Sequence, residues 1–213
     1  GGIYKDNSSI KLEDIKGKKV LITCDQGLGD TILFSRFLKL LLDLKTDVTL
    51  VVMVVMVDLM KCIDSRIKII SATDNVMKYD YNFSLGDLIN IFKLQERNIP
   101  KYKNYINISK KYIDKWSRKI DKQKFNIGII WQGRKNTITD QGRSIELKYF
   151  KNISKIKKVQ LISLQKNEGI EQISDFQKKN SIINFDSELD VNVKFLDTAG
   201  LMKNLDLIIC SDS

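Results

Sequence analysis

A chain of 213 residues with 43% hydrophobic and 29% charged residues has the apolar content for one large domain or two small ones. It contains no histidine, which removes Ser-His-Asp and Cys-His catalysis and HExxH zinc chemistry, and leaves acid–base work to Asp, Glu, Lys or Tyr. The three cysteines, Cys24, Cys62 and Cys210, form no CxxC pair, which argues against a zinc site or disulfide framework and fits a reducing compartment.

The net charge is +10, and only six of the 36 basic residues are arginine. The lysines are spread along the chain, so they read as solvated faces or as a face attracting phosphorylated substrates, not as a nucleic-acid stripe. Residues 1–6 lack an apolar signal core, and the most apolar stretch, 48–57, is too short to span a bilayer.

In chain order, strand and helix patterns alternate. Residues 19–23 read as a buried strand, 26–30 as a Gly-rich turn, and Ile32, Leu33, Phe37, Leu40, Leu41 and Leu44 recur at helical spacing. Strands are expected at 49–54, 66–70 and 79–83. The pattern decays between 95 and 124, where the only proline, Pro100, lies, and a helix is expected around 108–120. The domain boundary is placed here, giving domains 1–118 and 119–213.

The second series begins with a strand at 125–131 and a polar loop at 132–142. Ser144 is expected to cap a helix with Glu146 in its first turn. Then come a strand at 159–163, a helix at 168–176, a strand at 181–185, a helix capped by Asp197 and running to Leu205, and a strand at 206–210. The fold class is therefore α/β, with two Rossmann-like parallel-sheet halves facing a cleft.

The turns decide which phosphate chemistry is open. Gly27-x-Gly29 between strand and helix invites a dinucleotide reading, but the third glycine of that fingerprint is replaced by Ile32. Asp30 would repel a pyrophosphate at the helix N-terminus, and no Walker lysine follows. At the carboxyl edge of a parallel sheet Asp30 can instead accept a proton from a sugar hydroxyl; its other reading is a plain N-cap. In the second half, Gln132, Arg134, Lys135 and Arg143 share one loop and can converge on a diphosphate, or simply be solvated. Ser163, Gln165 and Lys166 leave the next strand at the same edge, and Asp212 and Ser213, after Ser211, leave the last one. These five are the candidate nucleotide contacts.

Taken together, residues 19–38 (KVLITCDQGLGDTILFSRFL), 127–147 (IGIIWQGRKNTITDQGRSIEL), 161–166 (LISLQK) and 195–212 (FLDTAGLMKNLDLIICSD) resemble the heptosyltransferase family, glycosyltransferase family 9. The likeness is to the bacterial branch often fused to tetratricopeptide repeats. It implies a GT-B fold with an acceptor-side first domain and a nucleotide-sugar-side second domain. It also implies metal-independent transfer with inversion, with no cofactor beyond a donor such as ADP-heptose or a UDP-sugar. The implied acceptor is a glycan, a lipid-linked molecule or a protein, with no nucleic-acid partner. The implied setting is the cytoplasm, including the inner face of the membrane. Asp30 matches the family's proposed base. Arg143, with Arg134 as the alternative, matches the basic group that offsets charge on the leaving diphosphate. Family members continue past the acidic-Asp-Ser segment into a helix that cradles the donor, so the second half is expected to be truncated at Ser213. Two other classes are weighed: a non-catalytic sugar- or protein-binding module on the same fold, and a basic RNA-binding protein.

Overall fold

The computed structural model describes residues 10–24, 27–74, 78–102, 104–133, 142–191 and 194–211. It divides into two compact units, residues 1–107 and 108–213.

The first unit contains α1 (Leu12–Ile15), β1 (Lys19–Thr23), α2 (Leu28–Phe34), a 3₁₀ turn (Ser35–Phe37), α3 (Leu38–Asp43) and β2 (Asp47–Val52). A second 3₁₀ turn (Val54–Met56) leads into α4 (Val57–Met60), β3 (Lys68–Ser71), β4 (Tyr81–Ser84) and α5 (Asp87–Ile91). Its four strands form one parallel sheet in the order β3-β2-β1-β4. The β1 run Val20-Leu21-Ile22 is buried on both faces, as a central parallel strand requires.

The second unit contains α6 (Lys110–Ser117), β5 (Phe125–Ile130), a 3₁₀ turn (Leu147–Phe150), α7 (Lys151–Ser154), β6 (Val159–Ser163), α8 (Gln172–Gln177), β7 (Ile183–Asn184), α9 (Leu196–Met202) and β8 (Leu207–Cys210). Its parallel sheet runs β7-β6-β5-β8, the same order shifted by four strands. Alternation along the strands splits the core. Ile127, Ile129, Trp131 and Leu161 pack on one face with Phe150, Ile173 and Phe176. Ile162 and Leu164 pack on the other with Trp116, Leu189 and Leu201.

Several local expectations are corrected. The helix after β1 is not continuous: the 3₁₀ turn, where the Ser35 hydroxyl donates to the Ile32 carbonyl at 2.8 Å, rotates the buried stripe. Thr31, Ser35, Phe37, Leu38 and Leu41 are buried, whereas Leu33 is exposed. The expected strand at 49–54 sits two residues earlier, and 54–56 forms a 3₁₀ turn. Ser144 caps no helix. The helix expected from 168 starts only at Gln172, because Gly169 at φ 91° belongs to a turn.

Asp197 is not a cap either. It lies inside α9, whose first N–H groups at Asp197 and Thr198 are bonded by Asp190 at 2.8 and 3.2 Å. The buried Asp197 carboxylate accepts from Lys115 Nζ (2.7 Å) and from the Trp116 indole N–H (2.9 Å). That pairing, with the close approach of Gly200 to the Tyr112 backbone, fastens α6 to α9. Helix α6 therefore belongs to the second unit, and the division falls after Asn107 rather than after residue 118.

Candidate functional site

In a sheet ordered 3-2-1-4, the first and fourth strands send their connections to opposite sides, and a crevice opens at their carboxyl ends. In the first unit this switch point lies between β1 and β4. The chain leaving β1 supplies Cys24, Asp30, Thr31 and Phe34, the chain leaving β4 supplies Ser84, Leu85 and Gly86, and together they line a small recess. The Leu85 N–H donates to the Thr23 carbonyl (2.9 Å) and holds the two exits side by side. A reciprocal pair between Ser84 and Asp87, at 2.8 and 3.2 Å, fixes the start of α5.

Asp30 stands in the first turn of α2 and is exposed. The N-cap is Gly27, so the plain-cap reading of Asp30 does not hold. Among the described residues its carboxylate makes no hydrogen bond or ion pair. Thr31, by contrast, is buried and bonds Gly27 through both its N–H (3.0 Å) and its hydroxyl (3.1 Å), which closes the turn. The two turn glycines have no internal reason to be glycine. Neither has positive φ. Among the described residues, a Cβ on Gly29 would meet nothing within 4 Å, and one on Gly27 only the Asp30 carboxylate at 3.9 Å. The bare backbone faces open space beside Asp30.

The second unit's carboxyl edge is built differently. The loop leaving β5 is closed at its neck: Ile145 N–H donates to the Trp131 carbonyl (2.7 Å), and Gly133 N–H to the Ser144 hydroxyl (3.2 Å). Ser144 therefore ties a loop where a helix cap was expected. Arg143, half-buried and followed directly by that neck, is held near the end of β5. Arg134, Lys135, Asp212 and Ser213 lie outside the described residues.

Beside the neck, Gln165 is 4% exposed and fully engaged. Its Oε1 accepts from Trp131 N (2.9 Å) and Gln132 N (3.0 Å). Its Nε2 donates to the Gln132 carbonyl (2.7 Å) and the Glu168 carbonyl (2.8 Å). A primary amide has two donors and two acceptor sites, so nothing remains for a nucleotide. The Gln132 side chain accepts from Gln172 (3.0 Å), and Gln172 in turn accepts from Leu147 N (2.9 Å). Gly169 belongs to the same staple. Its carbonyl accepts from the Trp131 indole (3.2 Å), and a Cβ there would stand 3.0 Å from the Gln132 Cβ. Lys166 reaches Asp186, at 2.9 Å to the carboxylate and 2.8 Å to the carbonyl.

The expected nucleotide contacts thus divide. Gln165 and Lys166 are engaged within the protein, as is Gln132, the expected diphosphate contact. The hydroxyls of Ser163 and of Ser211, next to Asp212, are buried at the ends of β6 and β8 and find no hydrogen-bond partner among the described residues. Sequence reasoning missed Gln172, Asp186 and Gly169, and placed Ser211 at the end of the last strand without making it a candidate contact. Only the Gly169 signal, a glycine between a strand and a helix, was open to it. No protein-family model, curated protein or solved structure matches the chain.

Proposed function

We propose that the chain is a heptosyltransferase-like glycosyltransferase, moving a sugar from a nucleotide-sugar to a hydroxyl acceptor with inversion and without a metal. The observation that carries this reading is Asp30: an exposed carboxylate without a partner among the described residues, lining the recess at a parallel sheet's switch point. Parallel sheets place their chemistry at that edge, and with no histidine in the chain a carboxylate is a ready proton acceptor.

In this reading the first unit is the acceptor side and the second the nucleotide-sugar side, the division of labour of a GT-B enzyme. Asp30 takes the proton from the acceptor hydroxyl as its oxygen bonds to the anomeric carbon. The bond from that carbon to the diphosphate oxygen breaks, and the nucleoside diphosphate leaves with the electron pair. Arg143 offsets the charge that develops on it. Arg134 and Lys135 assist on the same loop, and Asp212 and Ser213 contact the nucleotide. Ser163 adds a hydroxyl that has no partner among the described residues, while Gln165 and Gln132 position the loop without touching the ligand.

Titration calorimetry with ADP and UDP tests the donor half. The expected result is saturable binding that Arg143→Ala weakens by about tenfold or more, since a charge-assisted hydrogen bond contributes about 1.5–3 kcal/mol. Absence of binding by either nucleotide, or binding indifferent to Arg143, would remove the donor site from the second unit.

A further inference from the structure

Eight lysines that look scattered in the sequence gather at one edge. Four short segments enter the strands of the second sheet at its amino edge: residues 121–124, 155–158, 178–182 and 203–206. They carry eight lysines against two aspartates, more than half of the chain's net +10. Lys122, Lys155, Lys157, Lys158 and Lys179 are exposed and form no ion pair among the described residues. Of the acids, Asp121 sits 3.9 Å from Lys124, and Asp206 accepts from the Asn126 N–H at 2.7 Å.

Large apolar side chains stand exposed at this same edge. Phe125, the first residue of β5, is 49% exposed, and Leu207, the first of β8, is 43%. Strand alternation places both on the sheet face that carries Ile127 and Ile209. Between the lysines of the β6 entry, Ile156 is 54% exposed. The Phe125 N–H donates to the Lys158 carbonyl (2.8 Å) and the Val159 N–H to the Ile156 carbonyl (2.9 Å), so these residues are neighbours.

We propose that this amino edge is a docking surface for a membrane rich in anionic lipids. Lys124 and Lys178 pair with Asp121 and Asp175, but the five exposed lysines without an ion pair among the described residues, set around exposed apolar side chains, match an anionic headgroup layer over an acyl boundary, where they meet phosphate and Phe125, Ile156 and Leu207 enter. A nucleic acid would meet the charge and could stack a base on Phe125, but it has no use for the exposed aliphatic Ile156 and Leu207. The surface is at the opposite end of the strands from Arg143 and Ser163, so a docked unit keeps its carboxyl edge open.

Co-sedimentation with phosphatidylcholine vesicles, with and without phosphatidylglycerol, tests this. The chain should bind the anionic vesicles, release them as salt rises, and ignore the neutral ones. Replacing Lys122, Lys155, Lys157 and Lys158 together by alanine should lower partitioning by two to three orders of magnitude, at about fivefold per lysine. The pair Phe125→Ser and Ile156→Ser, with charge unchanged, should lower it by about tenfold. Failure to bind anionic vesicles, or undiminished binding by either variant, would overturn the proposal. So would a poly(U) probe that displaces the vesicles and binds the serine variant as well as the native chain, which would assign the surface to RNA.

Discussion

Replacing Gln165 by leucine keeps a side chain of similar size and removes its four hydrogen bonds of 3.0 Å or shorter at a site 4% exposed. The amide N–H groups of Trp131 and Gln132 lose their acceptor, and the carbonyls of Gln132 and Glu168 lose their donor. At about 1 kcal/mol net for each bond, and up to about 3 for a buried group left unpaired, the loss should be about 3–5 kcal/mol. That is a large part of an ordinary domain's stability of about 5–15 kcal/mol. Both tryptophans of the chain, Trp116 and Trp131, are fully buried in the second unit, so their fluorescence during urea unfolding reports that unit alone. The midpoint should fall sharply for Gln165→Leu. A loss below about 1 kcal/mol, or unchanged stability with weakened ADP or UDP binding, would refute the staple and restore Gln165 as a ligand contact.

Gly200→Ala should reverse the usual sign. A helical alanine normally gains about 1 kcal/mol over glycine, but here its Cβ would stand 2.8 Å from the Tyr112 backbone, and overpacking of this kind costs about 1–3 kcal/mol. Unfolding followed by tryptophan fluorescence should show a net loss; a gain would mean that α6 and α9 are not locked by this contact. Asp64 is held at about pKa 2, chiefly by hydrogen bonds from the Arg66 guanidinium. Its folded value lies below the ordinary 3.8, so its stabilisation is present above about pH 4 and fades as pH falls towards about 2. Circular dichroism should show Asp64→Asn less stable than the native chain at neutral pH, with the gap closing across that window; a gap independent of pH would contradict the assignment.

The fold was legible where burial imposed a simple pattern. The run Val20-Leu21-Ile22 and the run Ile127 to Ile130 are central parallel strands, and their apolar continuity states as much. Caps and short helices were less legible because they depend on distant partners. Asp190 reaches across to cap α9, freeing Asp197 to be buried against Lys115 and Trp116, and no local spacing announces that exchange. The placement of Asp30 was legible, since a carboxylate in a turn after a central strand must stand at the carboxyl edge. It was misleading at Gln165 and Lys166. Polar residues at that edge can serve a ligand or tie one loop to another, and the choice rests on Gln132, Glu168 and Asp186, which sequence position does not bring together. Eight lysines show the opposite failure: dispersed in order, they share an edge because each stands in a segment that enters a strand of the same parallel sheet.

In the proposed sugar transfer, Asp30 removes the proton of the acceptor hydroxyl. This step is tested by release of nucleoside diphosphate from ADP- and UDP-sugars, in the presence of hydroxyl acceptors, by the native protein carrying this sequence and by its Asp30→Asn variant. The variant should keep its unfolding midpoint and its ADP or UDP affinity while acceptor-dependent release falls by about 10²–10⁴-fold, the usual cost of losing a general base. Near-normal release by the variant would contradict the assignment, and nucleotide-sugar binding with no release by the native protein would make this a binding module on a transferase fold.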